Sequence, residues 1–240
     1  MTTAVRSTPG ATTRLHLLDR MELRHHGACV ALPDSSKRLL ALLALRERHQ
    51  HRSTVAGTLW TDTTEDRAAA NLRTALWRVR RFSADLILSE GAYLRIGRHV
   101  RVDLAEVTEA TRRLVADPHA RDEPHLSAET LCQELLPEWP DDWVLLERER
   151  LRQLRLHGLE ALCLRFTALG RHALAIEAGL LAVAAEPLRE TTQRALIAAH
   201  VSEGNMSEAV RQYDTYRELL QHTLGIEPSD NLRAVVAPCR

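Results

Sequence analysis

The chain has 240 residues, 45% of them hydrophobic, and its 32 Lys+Arg balance its 32 Asp+Glu. That length allows one large domain or two ordinary ones, and the neutral total excludes a simple basic tail as a means of holding a polyanion. The neutrality hides a split: residues 1–103 carry 17 basic and 10 acidic side chains, a net of +7, while residues 104–240 carry 15 and 22, a net of −7. The basic half suits a polyanion and the acidic half a protein partner.

Residues 1–13, rich in Thr, Ser, Ala and Pro, read as a disordered tail without the apolar run of a signal peptide. Leu15, Leu17, Met21, Leu23, Val30 and Leu32 then alternate with polar residues between turns at Asp19-Arg20 and His26-Gly27, which predicts a small antiparallel sheet. Pro33-Asp34-Ser35-Ser36 opens a Leu-rich helix running to about Arg48, with Asp34 or Ser35 as its cap. Lys37 and Arg38 stand in its first turn, where cations oppose the helix dipole. A phosphate held by Ser35, Ser36, Lys37 and Arg38 would account for them; simple capping is the alternative. Ser53–Trp60 reads as a short second helix.

The stretch Glu65 to Phe82 is the most informative. At about 100° per residue, Ala68, Leu72, Ala75, Leu76 and Val79 share one helix face. Arg67, Asn71, Thr74, Arg78 and Arg81 share the opposite one, with Trp77 beside it and Arg73 and Arg80 on the flank. This outer face carries no carboxylate, whereas a merely solvated helix usually mixes both signs. Arg and Asn can also pair in two-point fashion with guanine and adenine edges in a DNA major groove. Arginine supplies all the basic charge but Lys37, so its abundance alone carries no functional meaning.

After this helix come Leu86-Ile87-Leu88, a turn at Ser89-Glu90-Gly91, Tyr93 to Ile96, a turn at Gly97-Arg98-His99, and Val100 to Val102. Both turns are expected to be tight hairpins. Strands, two helices, a basic amphipathic helix and a hairpin give the layout of a winged helix-turn-helix, with the basic helix as its recognition helix. Arg95, Arg98 and His99 are then wing candidates for a minor groove, or ordinary turn residues. Arg67, Asn71, Thr74 and Arg78 are expected to face the groove, at least two of them touching bases, and Arg80 and Arg81 to sit nearer phosphates; the alternative is that several are only phosphate contacts. Trp77 either covers a sugar-phosphate edge or supports Arg78, or it packs into a core or between domains.

From residue 104 the pattern is wholly helical: 106–116, 127–135, and a long helix over 144–169 after the aromatic turn Leu136 to Trp143. Gly170-Arg-His-Ala-Leu-Ala175 recurs 34 residues later as Gly204-Asn-Met-Ser-Glu-Ala209. That is the period of tetratricopeptide helix pairs, which stack into protein-binding solenoids. Pro187 and Pro228 each follow the first helix of a unit, the second about seven residues late.

Asp66-Arg-Ala-Ala-Ala-Asn-Leu-Arg-Thr-Ala-Leu-Trp-Arg-Val-Arg-Arg81, Leu32 to Leu45, Val55-Ala-Gly-Thr-Leu-Trp60, Leu135-Leu-Pro-Glu-Trp139, Asp141-Asp-Trp143, Glu147 to Arg152, Glu186-Pro-Leu-Arg-Glu190 and Leu224-Gly-Ile-Glu-Pro-Ser229 together resemble the Streptomyces antibiotic regulatory protein family. The resemblance spans about residues 14 to 235. It implies a mainly α chain whose α+β N-terminal part, residues 14–103, is an OmpR/PhoB-like winged helix-turn-helix. Residues 104–240 would form a bacterial transcriptional activator domain of tetratricopeptide-like helices. It further implies a cytoplasmic activator of secondary metabolite (antibiotic) genes that binds tandem direct repeats in double-stranded DNA, head to tail, and recruits RNA polymerase holoenzyme. Thr61, Thr74, Gln221-His-Thr223 and Gly179 depart from the family pattern, and Gly179 is expected to loosen the helical packing.

No Gly-rich phosphate loop, Ser-His-Asp set or Cys nucleophile context is present, so no catalytic role and no cofactor are expected. His25, His26, Cys29, His49 and His51 lack the spacing of metal ligands. Cys29, Cys132, Cys163 and Cys239 are read as free buried thiols, and no apolar run is long enough for a membrane span. The competing readings are a protein-interaction scaffold built on the helical repeats and a repressor with the same DNA-binding domain.

Overall fold

The computed structural model describes residues 13–46, 48–119, 122 and 124–237. The expected tail at residues 1–12 lies outside them, as does Cys239. Thr13 is not tail: it is buried, begins the first strand, and its hydroxyl is 2.9 Å from His25 Nδ1. The chain is mainly α, a winged helix-turn-helix followed by tetratricopeptide-like helices. Its described residues form two compact units. The first comprises the residues up to Glu106 together with Glu134–Arg148; the second comprises Val107–Gln133 and the residues from Glu149 onward. A single cut in the chain therefore does not separate them.

In the first unit β1 (Thr13–His16), β2 (Glu22–His25) and β3 (Ala28–Cys29) form the expected antiparallel sheet. Helix α1 (Asp34–Arg46) follows, then the short strand β4 (Gln50–His51), α2 (Arg52–Leu59) and α3 (Glu65–Phe82). A 3-10 turn at Ala84–Leu86 leads into β5 (Ile87–Glu90) and β6 (Tyr93–Ile96), a hairpin closed by Gly91-Ala92 with Glu90 opposite Tyr93. Gly91 takes φ +60°, the left-handed conformation that two-residue hairpin loops require.

The second expected hairpin is not formed. Strand β6 is central in the order β4-β6-β5, so both its edges are occupied. Strand β7 (Val100–Val102) instead pairs in parallel with β1, Thr13 opposite Val100 and Leu15 opposite Val102. The chain leaves the wing at Gly97, whose N–H donates to Leu86 O at 2.9 Å. A Cβ at Gly97 would lie 2.1 Å from the Asp85 carbonyl oxygen, so no side chain fits there. At the end of β7, the Asp103 carboxylate accepts the N–H groups of Leu17 (2.9 and 3.1 Å), Leu18 (3.3 Å) and Leu104 (2.7 Å). Burial pushes its carboxyl up from the ordinary range, against the pull of those amides.

Residues 134–148 complete this unit. Leu135 forms a bridge to Leu18, and Leu136 N–H donates to Leu17 O at 3.0 Å. The aromatic turn is held by Arg148, which donates to the carbonyls of Leu135 (2.8 Å), Leu136 and Trp139 (2.9 Å). The rings of Trp139 and Trp143 meet edge to face at 6.1 Å.

Helices α4 (Asp103–Ala116) and α6 (Asp142–Ala168) each contribute residues to both units; α5 (Ala128–Cys132) is capped by the Ser127 hydroxyl, 3.1 Å from Thr130 N. In the second unit α7 (His172–Ala185), α8 (Glu190–Glu203), α9 (Met206–Leu224) and α10 (Asp230–Val236) follow, with α8 packed on both α7 and α9. Gly204 and Gly225 end α8 and α9 in the left-handed conformation at φ +87° and +68°. Helix α9 has 19 residues where α7 has 14, which delays Pro228 relative to the 34-residue period.

Gly179 does the opposite of loosening this unit. A Cβ there would lie 3.0 Å from Leu196 Cδ1 and 3.3 Å from Cys163 Sγ, so glycine lets α7 approach α6 and α8 closely. Arg165, only 5% exposed, donates to the carbonyls of Asp117, Pro118 (3.3 Å) and Asp122 (3.1 Å) and to the Asp122 carboxylate (2.8 Å), binding the α4–α5 connection to α6. Of the cysteines, Cys163 is buried, with its thiol pushed up to about 12 by burial, whereas Cys29 is exposed.

Replacing Gly97 by Ala forces a methyl group against backbone rather than against a side chain that could swing away. We expect a loss of about 1–3 kcal/mol of unfolding free energy, read from the urea midpoint of the full chain.

Candidate nucleic-acid interface

Helix α3 is built as the pattern requires. Ala68, Leu72, Ala75, Leu76 and Val79 are all buried, and this seam packs against α1 and α2. Burial of those five fixes which side chains face outward. Arg67, Arg73, Thr74, Trp77, Arg78, Arg80 and Arg81 are exposed and Asn71 is half-buried. The only carboxylates on the helix are Glu65 and Asp66 in its first turn, where they favour the helix dipole. Among the described residues, none of the five arginines of α3 has a carboxylate within ion-pair distance; Arg80 and Arg81 have side-chain contacts, with Ser89 and Trp77, and neither is with a carboxylate.

Side-chain detail refines the set. The Thr74 hydroxyl donates to Ala70 O at 3.0 Å, which leaves it free to accept. Trp77 is not core: it is 57% exposed, and the guanidinium over its ring, 5.0 Å from the centroid, is that of Arg81 rather than Arg78. Arg80 Nη2 donates to Ser89 Oγ at 2.6 Å, joining the helix to the wing strand β5.

The start of α1 is not an open phosphate clamp. Ser36 is fully buried, and the Arg38 guanidinium is bound to the Asp141 carboxylate. Lys37 Nζ lies 3.6 Å from Asp34. The cations that seemed to call for an anion are thus met by Asp34 and Asp141. Ser35 is half-buried in the same turn.

On the wing, Arg98 and His99 are exposed in the turn after β6. Arg95 is held by Glu90, Nη2 to Oε1 at 3.1 Å, and His49 Nε2 approaches the same carboxylate at 3.2 Å. The Arg95 guanidinium beside Glu90 holds its carboxyl below the usual range, so the pair is charged.

Two residues near this surface were not singled out from sequence. Arg52, the first residue of α2, and Ser89 in β5 come together, with Arg52 Nη2 3.4 Å from Ser89 Oγ. Their 37-residue separation left no local signal. Among the described residues no group of His, Cys, Asp or Glu could hold a metal, and no helix is long and apolar enough to cross a membrane.

Residues 102–239 match the family described as bacterial transcriptional activator domain. The chain is 31% identical over 208 residues to the regulatory protein AfsR of Streptomyces coelicolor and 29% identical over the same length to that of Streptomyces griseus. Each alignment takes in 81% of this chain but 21% of the relative, so the chain spans about a fifth of those proteins. A solved structure of Mycobacterium tuberculosis EmbR in complex with a low affinity phosphopeptide has a TM-score of 0.75 to this one at 18% identity, over 95% of this chain and 65% of that one. That likeness shows the fold alone. The chain belongs to the bacterial transcriptional activator domain family, of the kind found in Streptomyces antibiotic regulatory proteins.

Proposed function

We propose that the chain is a sequence-specific DNA-binding activator of transcription, cytoplasmic and without catalysis of its own, acting on secondary metabolite (antibiotic) biosynthesis genes. The observation that carries this reading is the outer face of α3: long, exposed, cationic and free of carboxylates beyond its first turn. Arg67, Asn71, Thr74 and Arg78 face bases in the major groove, and Arg80 and Arg81 face phosphates. Arg98 serves the minor groove beside the wing. Membership of the activator-domain family supports a role for the helical unit in engaging RNA polymerase holoenzyme.

Footprinting with the purified chain upstream of its neighbouring genes tests the reading. Protection of paired direct repeats is expected; uniform weak coverage, or binding indifferent to salt, would sink it. Arg78→Ala should cost about 1–3 kcal/mol on the protected site while leaving unrelated DNA nearly unaffected. An equal loss on all sequences would reduce Arg78 to a backbone contact.

Direct repeats call for protomers related by translation along the duplex, about one helical turn apart, rather than by a two-fold axis. Native mass measurement on a duplex with both repeats should show two protomers. A single protomer, or equal binding to inverted repeats, would contradict the head-to-tail arrangement.

A further inference from the structure

We propose that Arg52, Arg80 and Ser89 form a seat for one DNA backbone phosphate, on the strand that passes between the major groove and the neighbouring minor groove. The inference rests on the DNA-binding reading above and adds two residues, Arg52 and Ser89, from elements outside the recognition helix.

Three elements converge on one hydroxyl. Arg80 from α3 donates to Ser89 Oγ at 2.6 Å, and Arg52 from α2 approaches it at 3.4 Å. Among the described residues neither guanidinium has a carboxylate within ion-pair distance. Two like charges are therefore gathered on a neutral oxygen that cannot offset their repulsion, an arrangement that favours an anion. The contrast with the other face of the same hairpin is direct. Side chains alternate along a strand, and Glu90, the next residue, already neutralises Arg95, with His49 Nε2 also 3.2 Å from its carboxylate. The arginine on the Glu90 side is satisfied within the protein; among the described residues those on the Ser89 side have no carboxylate.

The location fits a backbone phosphate. Ser89 lies where the recognition helix meets the wing strand. If α3 occupies a major groove and the wing tip reaches the adjacent minor groove, the sugar-phosphate strand dividing the two grooves must cross this junction. The Ser89 hydroxyl accepts from the arginines and keeps its own proton to donate to a phosphate oxygen. With the two guanidiniums it offers charge-assisted donors from three directions.

The test uses the full chain and a labelled duplex of mixed sequence, since a phosphate contact is indifferent to base order. Binding is followed by anisotropy across a salt series. Ser89→Asp places a carboxylate between the two guanidiniums and fills the seat from within. It should keep or raise the urea midpoint, weaken binding about tenfold at ~0.1 M salt, and make the log–log salt slope shallower by about one. Arg52→Ala should change the slope likewise, and Arg52→Lys should restore most of it. Arg101→Ala, which removes the same formal charge from a residue paired with Glu106, should change little.

A wild-type slope that Ser89→Asp and Arg52→Ala leave unaltered overturns the seat while the DNA-binding reading stands. Equal losses for Arg52→Ala and Arg101→Ala also overturn it, since they would reflect net charge alone. Absence of salt-dependent binding by the wild type overturns the DNA-binding reading itself. Should Ser89→Asp lower the urea midpoint, the Arg52→Ala slope decides.

Discussion

The pairing of guanidinium with carboxylate is the interaction on which the character of the first unit depends. Nearly all its positive charge is arginine, so the surface field is set by which arginines are matched. Arg20 and Arg24 share Glu22, Arg38 takes Asp141, Arg95 takes Glu90 and Arg101 takes Glu106. Among the described residues the arginines of α3 are given none. Exposed pairs add little to stability, with a median of about 0–1 kcal/mol. Their effect is on electrostatics: charge is quenched at these sites and left unquenched along α3 and at its junction with the wing. A neutral chain can in this way carry a concentrated cationic surface.

That partition needs a helix whose orientation is fixed. The seam from Ala68 to Val79 supplies it, because small and branched apolar residues on one face leave α3 a single way to pack in the first unit. The close contact at Gly97 and the Asp103 carboxylate, which gathers the amides at the end of β1, then hold the wing and the N-terminal sheet around it. Packing specifies the direction, and the absence of carboxylates specifies the chemistry presented there.

Local pattern was enough for what is local. The buried face of α3 follows from a period of 3.6, and the helix ends fall within a few residues of their capping signals. What could not be read involves distant partners. Arg38 looked like a phosphate ligand because Asp141, its counterion, lies 103 residues on. Trp77 borders the outer face, so pattern alone allowed either an outward role or packing, and it proved exposed, with Arg81 rather than Arg78 over its ring. The third wing strand looked like a hairpin arm because nothing near Val100 shows that β6 already has two neighbours. Gly179 looked like a defect, since sequence does not reveal how closely α7 is pressed. For the interface itself, the α3 residues were legible as a set. Ser89 and Arg52 were not, because only folding brings them together.

The return of residues 134–148 to the first unit bears on how such regulators can be recombined. A fragment ended after β7 would strip Arg38 of its counterion and Leu17 and Leu18, just beyond β1, of the backbone partners that Leu136 and Leu135 provide. It would also lack the aromatic turn that Arg148 holds. The first unit is therefore not a detachable cassette in the linear gene. Exchange between relatives would preserve a working fold only if the crossover carried the segment around Trp139 and Trp143 along with the winged helix, a constraint on shuffling that a map of consecutive domains would not disclose.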